Sequence, residues 1–145
     1  MGKFKLEREN PEYIKNRAIE VAVERLKQTI INENLRITPA VEEKLDSLLG
    51  KLEEEGIFLA KEEILRKSLE ILAIEQGGFP EKLEAKFIEL LASEIANKVD
   101  EEKNLYQVLS KEMIELKRKG IEVEAKKVEE KIKEKLKERG EGFNL

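Results

Sequence analysis

The sequence predicts an all-α, or nearly all-α, protein of about six helices joined by short loops that end in glycine. Apolar residues recur at spacings of three and four through most of the 145-residue chain, which places them on one face of a helix. Of the 32 acidic residues only two are Asp, and Glu favours helix interiors whereas Asp favours caps and turns. Glycines also follow several of the apolar patterns. Together these observations predict a single helical domain over residues 1–145.

Three glycines lie where a Schellman helix ending would place them. That ending has a glycine in the left-handed conformation just past the helix, and two apolar residues five positions apart close over it. The matching sets are Leu52, Gly56 and Ile57; Ile74, Gly78 and Phe79; and Leu116, Gly120 and Ile121. We therefore predict that Gly56, Gly78 and Gly120 each end a helix, and that Gly140 ends the last one.

The first two helices are each predicted to begin at a proline, which suits the first helical turn. They cover about residues 11–31 and 39–55, and Thr38 is the expected N-cap of the second. Their predicted apolar positions are Ile14, Ala18, Val21, Leu26 and Ile30, then Val41, Leu45, Leu48, Leu49 and Leu52.

The third helix is predicted over about residues 60–76, and the fourth begins at Pro80. Asp100 is the expected N-cap of the fifth. The inward positions of these three helices are Ile64, Leu65, Leu69, Leu72 and Ala73; Leu83, Phe87, Leu90, Leu91, Ile95 and Val99; and Leu105, Val108, Leu109, Met113 and Leu116.

The sixth helix, about residues 121–139, has a narrow apolar stripe among Lys and Glu, so residues 121–145 are predicted to be a charged terminal helix and tail. Its stripe consists of Ala125, Val128, Ile132 and Leu136. Such a helix can lie on the protein's own core, project from it, or pair with another chain. The first arrangement is the favoured interpretation.

Residues 34–38 do not follow the helical pattern. The run Asn34-Leu35-Arg36-Ile37-Thr38 alternates polar and apolar side chains, which is typical of a short strand. The same run is compatible with an extended link between two helices. A strand at residues 34–38 is therefore one of two interpretations.

Residues 33–77 resemble the ribbon-helix-helix family of DNA-binding proteins. The elements that carry the resemblance occur in the family's order: Arg36-Ile37-Thr38, Glu42-Glu43-Lys44-Leu45 with Leu48 and Leu49, Gly56-Ile57, and Glu63-Ile64-Leu65-Arg66-Lys67-Ser68-Leu69. The resemblance implies a transcription regulator in which two chains pair their strands into a ribbon that enters the major groove of double-stranded DNA. A homodimer follows, because a lone two-stranded ribbon is marginally stable.

The resemblance also implies which residues contact DNA. Asn34, Arg36 and Thr38 would point outward from the ribbon, where Arg suits guanine, Asn suits adenine and the Thr methyl can touch thymine. Lys61 is the cation nearest the start of the third predicted helix. That helix corresponds to the second helix of the family, whose start holds a phosphate. The same turn contains Glu62 and Glu63, which repel phosphate.

The charge distribution counts against DNA binding. Residues 1–39 carry 8 basic and 6 acidic residues, residues 40–79 carry 5 and 10, and residues 80–145 carry 15 and 16. No segment has the basic balance of a nucleic-acid binder. The alternative to DNA binding is a helical protein–protein interaction or assembly subunit, with a partner on the C-terminal helix. A helix-turn-helix over residues 41–73 is a further interpretation.

Catalysis is the least favoured interpretation, and we predict no catalytic residue, metal site or cofactor. The chain has no Cys and no His, which excludes disulfides and any nucleophile–base pair built on those residues. No run of apolar residues is long enough to span a membrane, and no signal peptide is evident, so a cytoplasmic location is expected. The Glu- and Lys-rich composition resembles that of thermophilic proteins.

Overall fold

The computed structural model describes residues 10–99 and 105–138, and within them it contains helices and no strand. The helices are α1 (Pro11–Asn32), α2 (Pro39–Glu54), α3 (Lys61–Gln76), α4 (Glu81–Lys98), α5 (Leu105–Arg118) and α6 (Ala125–Glu138). The all-α prediction is confirmed. The predicted N-cap Asp100 and the predicted ending at Gly140 lie outside the described residues.

The chain divides into two compact units, Met1–Leu69 and Glu70–Leu145, here called unit 1 and unit 2. The boundary falls inside α3, so the first part of this helix belongs to unit 1 and the rest to unit 2.

Unit 1 is built from α1, α2 and the first part of α3. Its buried apolar side chains are Ala22, Val23, Leu26, Ile30, Val41, Leu45, Leu48, Leu52, Ile57, Ile64, Leu65 and Leu69. The fully buried hydroxyl of Ser68 lies 2.9 Å from the carbonyl oxygen of Ile64 and 3.3 Å from that of Val23. Because one of these acceptors is on α1, the hydroxyl adds a polar link between α3 and α1 without leaving an unpaired buried group.

Unit 2 is centred on α4, whose inward residues are all buried as predicted. The terminal helix α6 packs against α4, with Val128, Ile132 and Leu136 at most 1% exposed. Tyr106 on α5 donates a hydrogen bond to Glu129 on α6 over 2.9 Å. The terminal helix therefore lies on its own core, and three residues of its predicted stripe are buried there. The fourth, Ala125, is exposed at the start of the helix.

The predicted glycine endings at Gly56 and Gly120 are present, with φ angles of 82° and 84°. After Gly56, the N–H of Ile57 donates to the carbonyl oxygen of Leu52 over 2.8 Å, and Ile121 donates to Leu116 in the same way over 2.9 Å. Since Ile121 completes the ending of α5, α6 begins at Ala125 rather than near Ile121.

The predicted ending at Gly78 is wrong by one residue. Gly77 has a φ of 74°, and Gly78 donates its N–H to the carbonyl oxygen of Ala73 over 2.8 Å, so Gly77 occupies the left-handed position that ends α3. Ile74, the predicted closing residue, is 52% exposed. Phe79 instead stacks on Phe87, with ring centroids 4.7 Å apart. Either of two consecutive glycines can take the left-handed position that ends the helix. The contact between Phe79 and Phe87 favours the ending at Gly77.

The end of α1 explains why residues 34–38 do not form the strand that was one of the two interpretations. Asn34 and Leu35 have φ angles of 59° and 57°, and the N–H of Leu35 donates to the carbonyl oxygen of Ile30 over 2.9 Å. Asn34 thus ends α1 in the position that glycine usually takes, because its short polar side chain tolerates the left-handed region. Residues 36–38 form the extended link of the other interpretation.

Candidate functional site

The residues that the resemblance assigns to DNA contact all lie in unit 1. Asn34 and Arg36 are exposed in the connection between α1 and α2, and Lys61 is the exposed first residue of α3. Leu35 and Ile37 are half-buried, so the predicted alternation of exposure is present over residues 34–37 without a strand, and it stops at Thr38.

Thr38 is half-buried, and its hydroxyl has a partner on each side. It donates a hydrogen bond to Glu33 Oε1 over 2.7 Å and accepts one from the backbone N–H of Val41 over 3.4 Å. The second contact makes it the N-cap of α2, as predicted. A base contact by this hydroxyl would therefore compete with the cap.

An apolar groove lies between α1 and α2 in unit 1, with a volume of about 380 Å³. Its floor contains Ala18, Val21 and Ala22 of α1 together with Leu48 and Leu52 of α2. The alanines carry only a methyl group, which leaves the surface between the two helices concave. We call this the α1–α2 groove.

Two large apolar side chains form one end of the α1–α2 groove. Tyr13 and Ile14 line it and are 51% and 50% exposed. Exposed aromatic and branched side chains beside a concave apolar floor are typical of a surface that binds another molecule.

The rim of the α1–α2 groove is mostly basic. Arg17 and Arg25 on α1 and Lys51 on α2 line it, against the single carboxylate of Glu55. Arg17 also pairs with Glu20 over 3.3 Å, and both side chains are about two-thirds exposed. The groove thus combines an apolar floor with a net positive edge.

A second concavity, of about 500 Å³, lies in unit 2 beside the start of α6. Two of its charged residues pair with each other, since Lys127 Nζ lies 3.2 Å from Glu84 Oε1. The hydrogen bond to Glu84, followed by the nearby carboxylate of Glu124, raises the pKa of Lys127 above its ordinary value. Because its cation Lys127 is already paired with Glu84, this concavity is a weaker candidate than the α1–α2 groove.

Residues 10–99 and 105–138 contain no group of three carboxylates close enough to hold a metal ion. In the same residues every buried side-chain nitrogen or oxygen has a hydrogen-bond partner. None of the described helices is both long and apolar enough to cross a membrane.

Comparisons with protein-family models, with curated proteins and with solved structures found no match. The resemblance to the ribbon-helix-helix family therefore stays a prediction from the sequence.

The α1–α2 groove was not predicted, because the five apolar positions named for α1 were placed on a single stripe of the helix. Ile14 was predicted to share a stripe with Leu26 and Ile30, which are fully buried, yet it lines the groove and is half-exposed. The sequence does contain a signal, since α1 carries two apolar series that are offset around the helix. These series are Ile14, Ala18 and Val21, and Ala22, Leu26 and Ile30.

Proposed function

We propose that this chain is a non-enzymatic interaction subunit that binds a helical segment of another protein in the α1–α2 groove. The observation that carries the proposal is an apolar groove flanked by the half-exposed side chains of Tyr13 and Ile14. A groove of this kind is where an amphipathic helix lays its apolar face.

The dimensions of the groove suit a helix of about three turns. Its α1 lining runs from Tyr13 to Arg25, and twelve residues of helix extend over about 18 Å. A ligand helix with apolar residues at intervals of three and four would present about three anchors over that length. The buried stripe of α6 leaves this surface of unit 1 as the better candidate for protein contact.

The test uses a 20-residue amphipathic peptide with a leucine stripe and uncharged Gln flanks, titrated into the ¹⁵N-labelled protein. The largest chemical-shift changes should fall on residues that line the groove. Ile14→Ser should weaken binding about five-fold, because half of an isoleucine side chain, worth about 1 kcal/mol, is no longer buried on binding. Ile114→Ser is the matched control, since Ile114 is 54% exposed and lies in unit 2.

The proposal fails if the two serine variants weaken binding equally, or if the shift changes do not cluster around the groove. Circular dichroism of both variants, compared with the parent, excludes a loss of binding through unfolding.

A homodimeric DNA-binding regulator of ribbon-helix-helix type is the second candidate function, and what favours it is the exposure of Asn34 and Arg36 in one connection. Its ribbon would require residues 34–38 to change from the helix ending and extended link described above into a strand. A gel shift on double-stranded DNA at increasing salt tests it. Arg36→Ala should weaken binding more than Arg25→Ala, an equal loss of charge on the same unit, and light scattering should report a dimer. This candidate is dropped if the parent protein does not bind DNA at low salt.

A further inference from the structure

We infer that the helix bound in the α1–α2 groove is acidic, with Glu or Asp flanking its apolar stripe. This inference rests on the proposed function and adds the chemistry of the partner. Its basis is the rim, where Arg17, Arg25 and Lys51 stand against Glu55 alone.

The rim cations are available to a partner. Arg25 and Lys51 form no ion pair with any other residue in the described part of the chain. Arg17 pairs with Glu20, but an exposed pair of this kind is weak and exchanges readily for another carboxylate. An acidic helix would therefore gain new ion pairs with Arg25 and Lys51, could exchange into the pair of Arg17, and would meet one unfavourable charge, at Glu55.

Two other possible occupants of the α1–α2 groove complement its basic rim less well. A second copy docked through the same groove would place the basic rim against itself, because a two-fold interface joins identical patches. The chain's own residues 1–9 contain three basic and two acidic residues, so they do not supply the negative complement.

The expected selectivity follows from the exposed ion pairs with Arg25 and Lys51 and the exchange at Arg17, less the repulsion from Glu55. Exposed pairs are individually weak, and together these give an acidic helix a preference of roughly ten-fold over a neutral one at low salt. Screening should remove most of this preference at about 1 M NaCl, where the Debye length is about 3 Å.

The experiment compares three 20-residue helical peptides that share one leucine stripe and carry Glu, Gln or Lys flanks. With the parent protein at low salt, the Glu peptide should bind roughly ten-fold tighter than the Gln peptide, and the Lys peptide should bind most weakly. The double variant Arg25→Glu with Lys51→Glu should reverse that order. The matched control is Lys61→Glu with Lys67→Glu, the same charge change at exposed sites of unit 1 outside the groove, and it should keep the parent order.

Equal binding of the Glu and Gln peptides, or an order that the rim variant does not change, would overturn the inference. The proposed function would survive that result if binding of the Gln peptide still depended on Ile14. A failure of all three peptides to bind at 1 mM would overturn both. A dimer in light scattering that Ile14→Ser dissociates would make a second copy the occupant and would also overturn the inference.

Discussion

Asn34 distinguishes the two structures considered for residues 34–38, because they require opposite backbone conformations there. Its φ is 59°, in the left-handed region, whereas a strand of a ribbon would need an extended φ near −120° to −140°. The side chain of Asn34 is exposed, so a substitution changes mainly the backbone preference.

The expected changes in the free energy of unfolding follow from that φ value. Asn34→Gly should leave the protein as stable as the parent or about 0.5 kcal/mol more stable, because glycine takes the left-handed region without a Cβ penalty. Asn34→Val should destabilise it by about 2 kcal/mol, since ordinary residues lose about 1–2 kcal/mol there and β-branched residues more. In a strand both signs would reverse, because glycine weakens a strand and valine favours it.

Urea unfolding followed by circular dichroism at 222 nm measures the difference, with the midpoints compared at equal m value. Gly56→Ala serves as the reference variant, because Gly56 has a φ of 82° and a Cβ there would meet no atom within 4 Å. The stability lost in this variant therefore measures the cost of a Cβ in the left-handed region alone. If the valine variant is at least as stable as the parent and the glycine variant is less stable, Asn34 is extended and the helix ending described above is wrong.

Three further predictions concern stability and charge. Gly50→Ala, in the interior of α2 with open space around the new methyl group, should raise the urea midpoint by an amount equivalent to about 0.5–1 kcal/mol; an unchanged or lower midpoint would contradict it. Ile132→Ala should cost about 2–5 kcal/mol in the same assay because Ile132 is fully buried, and a cost below about 1 kcal/mol would mean that α6 is not packed on the core. Hydrogen bonds from Lys133 and then from Tyr106 hold the pKa of Glu129 below its ordinary value, so Tyr106→Phe should raise that pKa in a carboxyl NMR titration. A lowered carboxyl pKa contributes stability that is lost as the pH falls through the folded-state value, so the variant should lose less stability in acid than the parent, and an unchanged pKa would contradict the hydrogen bond.

The beginning of α2 and the endings of α2 and α5 could be predicted from the sequence because their signals are local. Pro39 after Thr38 begins α2, and Gly56 and Gly120 end their helices, since proline and glycine restrict or permit particular backbone angles wherever they occur. The end of α1 was harder to predict, because Asn34 tolerates the left-handed region without requiring it. Its neighbours also alternate in exposure, a pattern that a strand and a helix-ending turn share.

The α1–α2 groove could not be predicted from periodicity alone. Periodicity identifies the apolar faces of a helix, but which face meets a neighbour depends on how the helices pair. Ile14 and Leu26 belong to two such faces of α1, and only the second is buried. The basic rim could not be predicted either, because it consists of Arg17 and Arg25 on α1 and Lys51 on α2. These residues line one groove only through the pairing of the two helices.

The first two turns of α1 have a consequence for how fast a partner is captured and released. Residues 11–17 are all exposed, and the buried residues of the helix begin at Ala22. A helical segment of this length has little stability of its own, so its amides should exchange with solvent faster than those near Leu26. A ligand that covers Tyr13 and Ile14 would fix these turns, and part of the binding free energy would be spent on ordering them. Release would then begin by fraying at this end of the groove, which favours short-lived complexes and a heat-capacity change larger than the contact area alone implies.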